Sequence, residues 1–120
     1  MKQAIILFGH GSRDALWHLP IQSVAQRIRT TSPEVQVACA YLELTTPSLP
    51  DMAAELIASG IEKIRVLPMF LGTGRHARED LPVLIDALRL RFPAVVFEVL
   101  AAVGENEAVL DLMASIALKD

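Results

Sequence analysis

Four short apolar runs, each followed by an amphipathic or glycine-rich segment, set the limits on what this 120-residue chain can fold into. The first run, Ala4-Ile5-Ile6-Leu7-Phe8, is apolar without alternation. That is the pattern of a strand buried on both faces, in a parallel sheet covered by helices. Val35–Tyr41, Ile64–Leu67 and Val95–Leu100 are the other strand candidates. Between them the apolar residues change to a helical period. Ile21, Val24, Ala25 and Ile28 follow Pro20, a residue tolerated in a first helical turn, and Thr31-Ser32-Pro33 ends that helix. Leu49, Met52, Ala53, Leu56 and Ile57 follow Ser48, which with Asp51 resembles a capping box, and Gly60 supplies a stop. Leu81, Leu84, Ile85, Leu88 and Phe92 form a third stripe, in place by Leu81-Pro82 and closed by Pro93. Val109, Leu110, Met113, Ile116 and Ala117 form a fourth, expected to face inward after Gly104-Glu105-Asn106.

This β-α-β-α-β-α-β-α order implies right-handed crossovers and an α/β fold, a four-stranded parallel sheet with helices on both faces. The expected strand order is 2-1-3-4, a shortened flavodoxin-like arrangement. Strands 1 and 3 then adjoin where the winding reverses, and a ligand crevice is expected at their carboxyl ends. Residues 1–120 are expected to form a single domain.

The histidines gain their interest from that topology. His10 lies between Gly9 and Gly11 directly after strand 1. His76 follows strand 3 in a second glycine-rich stretch, Gly72-Thr73-Gly74-Arg75-His76. Glu43 follows strand 2 at the same edge. Neutral imidazole is a common ligand for divalent transition metals and titrates near neutrality. Two imidazoles and a carboxylate make a mixed nitrogen and oxygen site suited to Co²⁺, Ni²⁺ or Fe²⁺ rather than to thiolate-bound structural zinc. Arg13, Arg75 and Arg78 belong to the same two loops and form a positive collar in an acidic chain of net charge -3, favouring an anionic ligand. Ser12 can serve either a ligand or its own turn. His18, in the lead-in to the first helix, is expected to be structural or exposed.

Several classes fall away. The turn after strand 1 carries neither G-x-G-x-x-G nor the P-loop pattern, and no G-x-S-x-G elbow is present. The net charge argues against a nucleic-acid binder working by bulk electrostatics. No apolar run approaches the ~18 residues that span a membrane, and no signal-peptide pattern opens the chain. The single cysteine, Cys39, excludes an internal disulfide and a four-cysteine metal site, so a cytoplasmic location is expected. A hydrophobic content of 52% and mean hydropathy of +0.41 are high for a small chain and fit either a sheet sandwiched between helices or an apolar surface used for self-association, or both.

His10-Gly11-Ser12-Arg13-Asp14 after a first apolar strand, Tyr41-Leu42-Glu43 with Pro47-Ser48-Leu49, and Pro68-Met69-Phe70-Leu71 with Gly74-Arg75-His76 and Asp80-Leu81-Pro82 occur in that order. Together they resemble the sirohydrochlorin cobaltochelatases, the CbiX family of class II chelatases. The resemblance implies ATP-independent insertion of Co²⁺, or Ni²⁺ or Fe²⁺, into sirohydrochlorin, with no cofactor beyond the substrate metal. It implies that His10 and His76 are the paired metal-binding and catalytic histidines, with Glu43 an assisting carboxylate. Arg13, Ser12, Arg75 and Arg78 would hold the carboxylates of the macrocycle. Short chains of the family are expected to pair as homodimers with the active site facing the partner. A non-catalytic metal or tetrapyrrole carrier using the same two histidines is the alternative.

Overall fold

A computed structural model describes residues 1–120. Its elements are β1 (Gln3–Gly9), α1 (Leu19–Thr31), β2 (Gln36–Tyr41), α2 (Leu49–Ala58), β3 (Lys63–Pro68), α3 (Arg75–Arg91), β4 (Val96–Val99) and α4 (Glu107–Leu118). Short 3-10 turns at Ala15–His18 and Val103–Glu105 precede α1 and α4. The four strands form one sheet in the order β2-β1-β3-β4, every pair parallel, as the alternation of the sequence requires. In this register Ile6 lies opposite both Ala38 and Val66.

Strand alternation divides the core into two layers. Ala4, Ile6 and Phe8 point to the face covered by α2 and α3, joining Leu49, Ala53, Ile64, Val66, Ile85 and Leu88. Leu7 points to the other face and packs with Ile21 and Ala25 of α1 and with Val37 and Tyr41 of β2. Burying each such aliphatic side chain contributes ~1.5–3 kcal/mol, and the central position of β1 explains why its interior is almost fully excluded from solvent. The helix starts follow local chemistry. The Ser48 hydroxyl accepts from the Asp51 amide at 3.2 Å, and the Asn106 side chain accepts from Val109 at 3.2 Å.

Two elements differ from expectation. Helix α3 begins at Arg75, before Leu81-Pro82, and carries Pro82 in its interior. Its first turn is polar because only Ala77 there is buried, so no apolar stripe announces it. Arg75, His76 and Arg78 are therefore helical, not loop, residues. Helix α4 does not face inward. None of its residues is buried, and its principal contact is with the 3-10 turn before it. Its amphipathic stripe is real, but the helix leaves the body instead of folding back over the sheet. The radius of gyration of 14.8 Å accordingly exceeds the ~13.6 Å of a compact chain of this length.

Candidate functional site

The carboxyl edge of the sheet gathers three loops, and the tightest junction lies between the loops after β1 and β2. Leu42 donates its amide to the Gly9 carbonyl at 2.9 Å and Glu43 donates to that of His10 at 3.1 Å, prolonging the strand pairing past the sheet. Gly11 permits this approach. Its φ is +103°, and a Cβ there would collide with the Glu43 carbonyl. Leu44 turns the chain back with a left-handed φ of 67°.

This junction sets His10 Nε2 3.0 Å from Glu43 Oε1. An ionised carboxylate only accepts, so the contact requires a proton on Nε2 and leaves Nδ1 with its lone pair. Both side chains are about half exposed, at 47% and 55%, which leaves them open to an arriving ion. A spacing of 3.0 Å also matches that of neighbouring ligands on a six-coordinate ion with bonds of ~2.1 Å. A divalent ion can thus take the Glu43 carboxylate together with His10 Nε2 once the ring carries its proton on Nδ1 instead.

His18, read from the sequence as structural or exposed, is buried and anchors the His10 loop. Its Nε2 donates to the Ser12 carbonyl at 2.8 Å, while Nδ1 is buried without a partner. The ring lies 4.6 Å from Tyr41 and 5.3 Å from Trp17, in edge-on geometry with both. A lone histidine with no glycine or acidic neighbour carries no sequence signal for such a role. Ser12 serves the turn: its hydroxyl oxygen accepts from the Asp14 amide at 3.0 Å, and the Asp14 carboxylate caps the next turn through Leu16.

The third loop approaches from β3. The Phe70 ring stacks edge-on at 5.9 Å from Phe8 and 6.5 Å from His10, so it walls the His10 side chain. Beyond it the chain reaches Gly74 and the first turn of α3, where His76 is exposed. No three of the histidine, cysteine, aspartate and glutamate side chains form a group that could hold a metal ion. Of the three expected site residues, His10 and Glu43 meet as a pair, and His76 forms no group with them in this structure. It lies in the exposed first turn of α3.

The arginines surround this edge unequally. Arg75 pairs with Glu79 at 3.0 Å along its own helix. Arg13 and Arg78 are exposed and make no ion pair. Leu16, Leu44 and Leu71 are more than half exposed, and Trp17 is 46% exposed, giving the collar an apolar component. Below the edge, burial raises the Cys39 thiol, outweighing the lowering influence of Arg29 and Tyr41. Burial also raises the Tyr41 hydroxyl, reinforced by Cys39. Cys39 is thereby kept as a neutral thiol in the layer beneath α1.

A parallel α/β domain with an imidazole–carboxylate pair at the carboxyl edge of its sheet, after β1 and β2, has the architecture of a chelatase-type domain. The chain belongs to the CbiX family, whose model matches residues 4–118. It is 37% identical over 81 residues to the sirohydrochlorin cobaltochelatase of Methanothermobacter thermautotrophicus, covering 68% of this chain and 56% of that one. With the chloroplastic sirohydrochlorin ferrochelatase of Arabidopsis thaliana it shares 28% identity over 109 residues, covering 91% and 48%. Among solved structures, a cobalamin-biosynthesis CbiX protein from Marinobacter aquaeolei superposes with a TM-score of 0.80 at 30% identity, covering 96% of this chain and 93% of that one. The sirohydrochlorin chelatase SirB from Bacillus subtilis in complex with cobalt superposes at 0.76 and 28% identity, covering 98% and 52%. The matched stretch spans 56% of the first of these curated relatives and 48% of the plant one.

Proposed function

We propose that this chain is a metal chelatase that inserts Co²⁺, or alternatively Ni²⁺ or Fe²⁺, into sirohydrochlorin, acting without nucleotide as a cytoplasmic homodimer. The observation that carries this reading is the His10–Glu43 pair, 3.0 Å apart, half exposed and walled by Phe70 at the carboxyl edge of the sheet. The activities in the names of the relatives and the cobalt complex of SirB support it.

The pair receives the ion as the His10 ring passes to the tautomer that carries its proton on Nδ1, which frees the Nε2 lone pair for the metal. Arg13 and Arg78 are free to bind the peripheral carboxylates of the macrocycle, and Arg75 can exchange Glu79 for one of them. Leu16, Trp17, Leu44 and Leu71 offer apolar contact to the ring faces. Insertion removes two pyrrole N–H protons for each divalent ion, so charge is conserved. His76, exposed on the opposing turn, is assigned to accept a proton as the pyrrole nitrogens turn to the metal. The protein thus supplies positioning, ring distortion and ligand exchange.

The test is the visible spectrum of sirohydrochlorin mixed with Co²⁺, with and without the protein. Acceleration sustained over several turnovers supports the enzyme. A single stoichiometric shift identifies a carrier instead, and a rate equal to the spontaneous one removes both readings.

A further inference from the structure

The two βαβ halves of the chain, β1-α1-β2 and β3-α3-β4, turn from helix to strand in the same way. Arg29, Ser32, Pro33, Val35 and Val37 recur as Arg89, Phe92, Pro93, Val95 and Phe97. Ser32 and Phe92 end their helices, donating their amides at 2.8 Å to the carbonyls of Ile28 and Leu88. Val35 and Val95 close the turns by donating to Ser32 and Phe92 at 3.0 Å. Arg29 and Arg89 donate to the carbonyls of Val37 and Phe97, at 3.2 and 3.0 Å. Counted from this shared turn, Trp17, His18 and Tyr41 of the first half correspond to Ala77, Arg78 and Ala101 of the second.

The halves differ at that place. Buried His18, edge-on to Trp17 and Tyr41, fills the space between helix start and strand end in the first half. In the second half methyl groups replace the two flanking rings, and a cavity of about 170 Å³ stands open. Pro68, Phe70, Ala77, Arg78, Leu81 and Ala101 line it. We propose that this cavity is a subsite for one carboxylate-bearing arm of the macrocycle, with Arg78 as its specificity-determining residue. That the arm belongs to sirohydrochlorin rests on the chelatase reading; where it binds rests on the cavity.

Size, lining and charge agree on such an occupant. A cavity of ~150 Å³ accommodates a guest of benzene size, so this one admits a short arm but not a whole tetrapyrrole. Pro68, Phe70 and Leu81 offer apolar walls to the methylene groups of the arm. Arg78 is exposed and forms no ion pair, so its guanidinium can take the carboxylate through two parallel hydrogen bonds. The Thr73 hydroxyl, also in the lining, is a further donor. Glu105 is the one acid there, and its carboxylate is engaged, accepting from the Ala102 amide at 3.2 Å.

Phe70 joins this subsite to the metal pair. Its ring lines the cavity and also meets the His10 ring edge-on at 6.5 Å. An arm seated beside Phe70 therefore fixes one edge of the macrocycle next to the residue that receives the ion. The equivalent place in the first half is occupied by its own rings, which assigns the arm to the β3–β4 side.

The experiment is a fluorescence titration of metal-free sirohydrochlorin into the wild type, Arg78→Ala, Ala101→Tyr and the double variant. Ala101 is exposed, and a tyrosine there restores the ring that closes the first half. Far-ultraviolet circular dichroism verifies that each variant folds, and calorimetry follows Co²⁺ binding in parallel. Each single substitution is expected to weaken macrocycle binding ~10-fold or more, with Co²⁺ binding unchanged. The double variant is expected to bind about as weakly as the worse single one, because both changes remove the same contact. Single variants that bind like the wild type, losses that multiply in full, or a matching loss of Co²⁺ binding overturn the subsite and leave the chelatase reading standing. A wild type that binds no sirohydrochlorin overturns both.

Discussion

The two sides of the carboxyl edge are built differently. The loops after β1 and β2 are locked to each other: Gly11 admits the Glu43 carbonyl, two backbone hydrogen bonds extend the strand pairing, and His18 holds Ser12 from below. The stretch after β3 is open. A Cβ added at Gly72 or Gly74 would meet nothing within 4 Å, and His76 projects from an exposed helical turn. A fixed pair on one side contrasts with a histidine on an exposed helical turn on the other. Such a division suits an insertion reaction, in which the ion must be held in one place while a large macrocycle enters and is bent over it.

The largest effect is expected on the locked side. His10→Ala should lower turnover by ~100-fold or more, the scale of losing a group that acts directly on the reacting atoms, without altering thermal stability. Steady-state chelation and a melting curve on the same sample check it. Gly11→Ala should be structural as well as functional. The positive φ and the Glu43 backbone leave no space for the methyl, so destabilisation of more than ~1 kcal/mol is expected by denaturant unfolding. Gly72→Ala makes the contrast: with open space around it, stability should stay level or rise by ~0.4–1 kcal/mol. Equal losses at Gly11 and Gly72 would erase the distinction between the two sides.

His18→Phe keeps an aromatic ring between Trp17 and Tyr41 but removes the donor to Ser12. It is expected to cost ~1–3 kcal/mol and to lower kcat more than it raises KM, because the His10 loop loosens. The smallest effect lies far from the site. Burial acts to raise the Glu98 carboxyl, but the hydrogen bonds and charges of Arg65 and Lys63 outweigh it and hold the group below the usual carboxylate range. A depressed carboxylate contributes stability that is complete above its unfolded pKa and lost as pH falls through the folded one. Glu98→Gln should therefore lower stability slightly at neutral pH, where the ionised carboxylate contributes in full, and flatten the acid limb of the profile, the two curves converging as pH falls.

The architecture was legible because β1 is apolar throughout and each helix on the sheet carries a stripe with a 3.6-residue period. The placement of His10, Glu43 and the β3 loop at one edge follows from that alternation, and the strand order follows from it together with the flavodoxin-like arrangement. The start of α3 was hidden because Arg75, His76 and Arg78 form an exposed turn with no apolar rhythm. A stripe states that a helix face is apolar but not which body covers it, and so α4 was read as inward. His18 was invisible as an anchor because its partner is a backbone carbonyl, which no sequence pattern marks. Glu43 was legible as an edge carboxylate; its pairing with His10 depends on the fit of Gly11 against the following loop.

The most direct test of the central claim compares Co²⁺ binding and chelation in His10→Ala and His76→Ala, by calorimetry and by the visible spectrum of sirohydrochlorin. If His10 with Glu43 holds the ion and His76 serves the proton transfer, His10→Ala loses both binding and turnover. His76→Ala then keeps binding within a few-fold and loses turnover. Loss of Co²⁺ binding in His76→Ala to the same degree, or full turnover in His10→Ala, would contradict the division between a fixed metal-holding pair and a histidine on an exposed turn.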